Sequence, residues 1–329
     1  LYKLWNSIEP TLGPEIHTVY ISGSNFFSEI NYGAIPLDEA TTVSDKYDLH
    51  IMLSTSDVIE YKQTVNNSYK SACLIGGVDY KESKHRSGDT HDGFKDAEWN
   101  FTRILPQNMR SGFRYLPNTL KEVNEISHFL DSIGIANTLR TGKEATEEYV
   151  KSLNGHSPDI VHLATHGFML APLFNDTTGQ SLRDDLGTQY QTVLSQSGLL
   201  LSGANKKWEK DIRQKANDGI LSSQEIAELN LSHSSLAVLM ACMSGLGNTT
   251  NLTGVPFGVA YAFRMAGVKQ ILCCLWDVDD EVTFTMVSDF YHNLYTTNNA
   301  KKALELSRQK LKERGYSSAF YWAPFVIID

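Results

Sequence analysis

The sequence predicts an α/β protein with a mainly parallel central sheet covered on both faces, preceded by a smaller N-terminal α/β layer. Three observations carry this reading. Short apolar runs alternate with stretches whose apolar residues recur at helical spacing. The intervals between runs are long enough for crossover helices. Two of the runs, Asp159-Ile-Val-His-Leu-Ala-Thr-His166-Gly and Leu236-Ala-Val-Leu-Met-Ala-Cys242-Met-Ser-Gly, stop on a reactive side chain with a glycine close behind.

In chain order, Thr18 to Ile21 and Tyr47 to Leu53 read as strands within a layer spanning residues 1–70. Polarity rises at Asn66-Asn67-Ser68, which marks the boundary with a core of residues 71–329. Ser71 to Val78 is a strand running into Gly76-Gly77, and residues 80–112 keep no period and read as a surface loop. Leu120, Val123, Ile126, Phe129 and Leu130 fall at helical spacing after Pro117-Asn118-Thr119, and Gly134 ends that helix. Ala136 to Leu139 is a short strand, Glu144 to Leu153 a helix, and Ile160 to Ala164 the strand that leads to His166. Residues 170–235 are polar and punctuated by glycine, apart from a hairpin-like patch at Ser197 to Gly203 and a basic run from Lys206 to Lys215. Ser222-Ser-Gln-Glu has the form of a capping box. Leu236 to Met240 is the strand that delivers Cys242. It is followed by a helix (Phe257 to Met265), a strand (Val268 to Leu275), two helices (Val282 to Leu294, Ala300 to Arg314) and a last strand (Trp322 to Ile328).

Composition narrows the function. A net charge of −9 argues against a nucleic-acid or anionic-membrane surface and favours cationic substrates or partners. No run of about 18 apolar residues crosses a bilayer. Cysteines at 73, 242, 273 and 274 lack CxxC spacing, which points to a reducing, cytoplasmic setting without a disulfide framework. The chain opens on Leu1 inside an amphipathic pattern, as a piece of a longer protein or a processed chain does.

A strand carries its last residues into the crevice at the carboxyl edge of a parallel sheet, so His166 and Cys242 are candidates for a base and a nucleophile. A thiol is mostly protonated at neutral pH and needs a neighbouring imidazole to act. The N–H groups of Gly167 and Cys242 are candidates to hold an oxyanion. His162, four residues before His166, lacks the companions of a metal site and reads as structural, so neither a metal nor another cofactor is expected. Cys73, Cys273 and Cys274 sit inside apolar strands and read as core. In Trp276-Asp-Val-Asp-Asp-Glu281, Asp279, Asp280 and Glu281 are accounted for as the cap and first turn of the next helix, while Asp277 is free to face a basic side chain.

His162-Leu-Ala-Thr-His166-Gly, Asp218-Gly-Ile-Leu-Ser-Ser-Gln-Glu-Ile, Leu239-Met-Ala-Cys242-Met-Ser-Gly, Ala266-Gly-Val-Lys-Gln-Ile-Leu-Cys-Cys-Leu-Trp276-Asp-Val and Tyr321-Trp-Ala-Pro-Phe-Val resemble, in order, the blocks of CHAT domains. Leu74-Ile-Gly-Gly and Leu116-Pro-Asn extend the resemblance over the whole chain. It implies a caspase- and separase-like cysteine peptidase with a three-layer sandwich fold, His166 as general base, Cys242 as nucleophile and Gly167 in the oxyanion hole. The run from Leu275 is similar to a separase segment that reads a basic residue before the cleaved bond, which implies substrate-binding roles for Asp277 and, less directly, Asp279. Two departures touch subsite preference: Met243 replaces the usual acidic residue, and the 80–112 loop is long. The resemblance further implies a protein substrate, control by a regulatory protein or by upstream tetratricopeptide repeats, and a bacterial role in defence or cell death. Residues 170–215 are the expected gate. Against this stand a catalytically silent interaction module and a different Cys-His enzyme, an acyltransferase or amidase.

Overall fold

A computed structural model describes residues 2–23, 30–38, 41–61, 69–81, 112–169, 194, 197–209, 217–241, 255–276 and 278–329. Eight strands form the central sheet: β1 (Thr18–Ile21), β2 (Asp48–Ile51), β3 (Ser71–Val78), β4 (Ala136–Gly142), β5 (Ile160–Ala164), β9 (Leu236–Met240), β10 (Gln270–Cys274) and β11 (Phe325–Ile328). Their order is β1-β2-β11-β10-β9-β5-β3-β4. The five strands from β10 to β4 run parallel to one another. Strand β11 is antiparallel to β10, and β2 and β1 follow β11's direction. The expected mainly parallel sheet is present, with a reversal at β11.

The inner strands of the parallel block, β3, β5, β9 and β10, are almost wholly buried because both faces are covered, while the edge strand β4 is partly exposed. On one face Leu74, Ala164, Val238 and Leu272 pack with residues of helices Pro117–Ser132, Asp280–Thr297 and Ala300–Glu313. On the other, Cys73, Leu163, Leu239 and Cys273 pack with helix Val255–Met265 and with a second sheet. Alternate residues of each strand serve opposite faces, the period of two that a pleated strand imposes. The result is a three-layer sandwich.

The second sheet is antiparallel, in the order β6 (Gly167–Met169), β7 (Ser197–Leu200), β8 (Ile220–Ser222). The hairpin-like patch at 197–203 is thus its middle strand, and β6 begins one residue after His166. The expected capping box closes β8 onto the next helix, with Ser222 and Glu225 each accepting the other's N–H.

Residues 1–70 carry their own apolar cluster around Trp5, Tyr32, Ile35 and Val43, while β1 and β2 lengthen the central sheet beyond Ile328. A buried carboxylate fastens this edge. Asp329 lies 2.7 Å from His50 Nδ1, accepts the Gln270 amide at 2.6 Å, and donates its backbone N–H to Ile51. Several elements are shorter than their spacing predicts: β2 and β10 lose residues at both ends, and two others start late. Thr146 is extended and caps Tyr149, so the helix expected from Glu144 starts at Glu147. Ser318 likewise starts a one-turn helix, Ala319–Trp322, that delays the last strand to Phe325.

At the end of β3 the chain has no room for side chains. A methyl on Gly76 would lie 2.6 Å from the Thr119 carbonyl, and Gly77, with φ of +57°, donates its N–H to Thr119 Oγ1. This contact seats the start of helix Pro117–Ser132 against the carboxyl edge. Gly76→Ala is expected to lower unfolding stability by about 1–3 kcal/mol, the usual cost of overpacking. Urea denaturation measures it, and an unchanged midpoint would contradict the close packing.

Candidate active site

Strands β5 and β9 are neighbours, and their parallel register ends with Ala164 opposite Met240. Each chain reaches its candidate residue two positions further on, His166 after Ala164 and Cys242 after Met240. The ladder continues past the strands, since Thr165 donates its N–H to the Met240 carbonyl at 3.3 Å. Beyond it, a methyl placed on Gly167 would lie 3.5 Å from Ala241 Cβ. The residues flanking the two candidates therefore pack against each other. Cys242 itself, with Met243, Ser244 and Gly245, lies outside the described residues, as does Asp277.

His166 is buried, and its ring clusters with those of Tyr80, 5.1 Å away, and Phe113, 5.4 Å away, which are themselves 6.4 Å apart. Nε2 lies 2.9 Å from the carbonyl oxygen of Arg114. A carbonyl only accepts, so Nε2 carries the proton and the neutral ring keeps its lone pair on Nδ1. The backbone is held by a directional chain. His166 N–H donates to Tyr80 Oη at 3.3 Å, Tyr80 Oη–H to Thr165 Oγ1 at 2.9 Å, and Thr165 Oγ1–H to the Leu200 carbonyl. Leu200 N–H returns to the His166 carbonyl at 2.9 Å. Burial pushes the Tyr80 hydroxyl up to about 12, so it remains a donor at neutral pH. Thr165 thus fixes the backbone of the candidate base.

Gly167 opens β6 opposite Leu199. The His166/Leu200 pair is hydrogen-bonded, so in an antiparallel ladder the next pair is not, and the N–H of Gly167 turns away from β7. A cavity of about 20 Å³ lies beside it among Leu199, Leu239, Ala241, Val259, Cys273 and Cys274, room for about one water.

Asp279 is placed as the N-cap of helix Asp280–Thr297 and accepts the Glu281 N–H at 2.9 Å. His162 is fully buried, with Nδ1 3.0 Å from the Tyr291 hydroxyl and Nε2 2.9 Å from Glu122 Oε1, a close approach without hydrogen-bond alignment. It belongs to the helix-covered face and is not brought to His166. Among the described residues, no group of three or more metal-ligating side chains assembles. Burial raises the thiols of Cys73 and Cys273 to about 11 and about 12, which leaves them unreactive. The Arg114 carbonyl and Tyr80 were not found from sequence. Every residue owns a carbonyl, and Tyr80 stands at the mouth of a stretch without periodicity.

Burial also lowers the pKa of His166, partly offset by the Arg114 carbonyl and by the charge of Asp280. The folded value lies below the unfolded 6.5, so the unfolded chain binds the extra proton first. Stability from this group is complete above that pH and declines as pH falls through it. NMR titration of His166 is expected to give a midpoint below 6.5, and a midpoint above it would contradict a buried neutral base.

Among solved structures the chain is similar to the Arg-specific cysteine proteinase gingipain R, at 11% identity and a TM-score of 0.48, over 99% of this chain and 66% of that one. It is similar also to a chain described as a protease, at 9% identity and a TM-score of 0.48, with the same shares covered. The chain spans about two thirds of the length of each. None of the curated proteins matches it. The CHAT domain matches residues 3–329, nearly the whole sequence, and the chain belongs to that family.

Proposed function

We propose that this chain is a cysteine endopeptidase that cleaves a protein substrate after Arg or Lys with a Cys242-His166 dyad. The observation that carries the reading is the hydrogen bond from the Thr165 N–H to the Met240 carbonyl, which extends the β5–β9 pairing towards both candidates, beside an imidazole already turned by the Arg114 carbonyl. In this mechanism Nδ1 of His166 takes the Cys242 thiol proton and the thiolate attacks the scissile carbonyl carbon. The oxyanion is held by the N–H groups of Gly167 and Cys242. As the tetrahedral adduct collapses, the C–N bond breaks and His166 gives its proton to the departing amine, leaving a thioester. Water, deprotonated by His166, then releases the acid and restores the thiol.

Preference for a basic side chain rests on Asp277, on the net charge of −9 and on the resemblance of the run from Leu275. Asp279 is the weaker assignment, because one of its oxygens already caps a helix. Control by a partner protein or upstream repeats, a cytoplasmic setting and a bacterial defence role extend the family reading to this chain. No helix among the described residues is long and apolar enough to cross a membrane. Most of the proposed gate at 170–215 lies outside the described residues.

Peptide cleavage by wild type and by Cys242→Ala tests the dyad. Loss of about 10³-fold or more in kcat is expected, and unchanged turnover would leave an interaction module or another chemistry. Asp277→Ala is expected to erase the preference for Arg and Lys in a peptide library, and a retained preference would remove Asp277 from the substrate pocket.

A further inference from the structure

We propose that Asn205 is the positioning residue that holds the imidazole of His166 in its working orientation, acting through the Arg114 carbonyl. This rests on the reading of His166 as the base. Asn205 stands at the start of helix Ala204–Glu209, just beyond β7, and is almost wholly buried. Its backbone N–H donates to the Tyr80 carbonyl at 2.8 Å. Its side-chain Oδ1 accepts the Phe113 N–H at 2.7 Å, and its Nδ2 donates to the Phe113 carbonyl at 3.0 Å.

One residue therefore grips both segments that flank the imidazole. The Tyr80 and Phe113 rings border it on two sides, and the next carbonyl after the gripped peptide, that of Arg114, meets Nε2. A carboxamide offers one donor face and one acceptor, so it pairs with both groups of a single residue as a strand neighbour would. Aspartate lacks the donor and leucine lacks both. Gly112 provides the room: its φ is +79°, and a methyl there would lie 3.0 Å from the Asn205 carboxamide carbon. The Arg114 carbonyl lies within a stretch with no helix or strand of its own, Gly112 to Leu116, so it needs a lateral anchor to be presented at hydrogen-bond distance.

The same grip ties three parts of the site together. β7 receives the Thr165 hydroxyl at Leu200 and then delivers Asn205 five residues later, so the backbone of His166 and the orientation of its ring are set by one continuous segment.

The test combines Asn205→Ala with Asn205→Leu, which keeps the bulk and removes both hydrogen-bonding groups, and reads each by ¹⁵N NMR of His166 and by peptide kinetics. In folded variants the ring nitrogens are expected to lose the fixed Nε2–H form, the His166 midpoint to fall below that of wild type, and kcat to fall about 10- to 100-fold with KM nearly unchanged. A folded Asn205→Ala protein with wild-type ¹⁵N shifts and wild-type kcat would overturn the proposal. If Asn205→Ala does not fold, the ¹⁵N shifts of Asn205→Leu decide alone, in the same two directions. The NMR signature does not require turnover. An altered His166 spectrum in a protein whose wild type cleaves nothing would uphold the clamp while removing the peptidase reading.

Discussion

The parallel pairing of β5 with β9 is the constraint on which the rest depends. Both strands are buried on both faces, so their apolar sequences admit no register that exposes a face, and five successive pairs from Ile160/Leu236 to Ala164/Met240 align their ends. Two residues past that alignment the sequence carries His166 after β5 and Cys242 after β9. Helices and the small second sheet cover the faces and leave the edge as the place where polar chemistry meets solvent.

A candidate base delivered this way still needs an orientation and a protonation state. Burial beside Tyr80 and Phe113 favours the neutral ring, and the Arg114 carbonyl selects which nitrogen holds the proton. The chain through Tyr80, Thr165 and Leu200 holds the backbone without drawing on the imidazole's free lone pair. Ring and backbone are thus set by separate contacts, which converge on the segment running from β7 into Asn205.

Much of this was legible in the residues. Alternating apolar runs and helical periods placed β3, β5 and β9 to the residue and β10 and the long helices to within about three residues, because buried parallel strands are continuous apolar runs with few alternatives. The capping box at Ser222, the glycines behind His166 and the placing of Asp279, Asp280 and Glu281 at a helix start followed from local chemistry. What was not legible depends on contacts distant in sequence. The reversal at β11 is decided by how the last strand pairs, and the second sheet joins segments around 167, 198 and 221. The carbonyl that turns His166 lies 52 residues away and has no side-chain signature.

Thiolate chemistry at this edge is tested most directly by reaction with an acyloxymethyl-ketone peptide bearing a basic residue, followed by peptide mapping by mass spectrometry. One adduct is expected, on Cys242, forming much more slowly in His166→Ala. No adduct, an adduct on Cys73, Cys273 or Cys274 instead, or a rate indifferent to His166 would contradict a dyad built from the ends of β5 and β9.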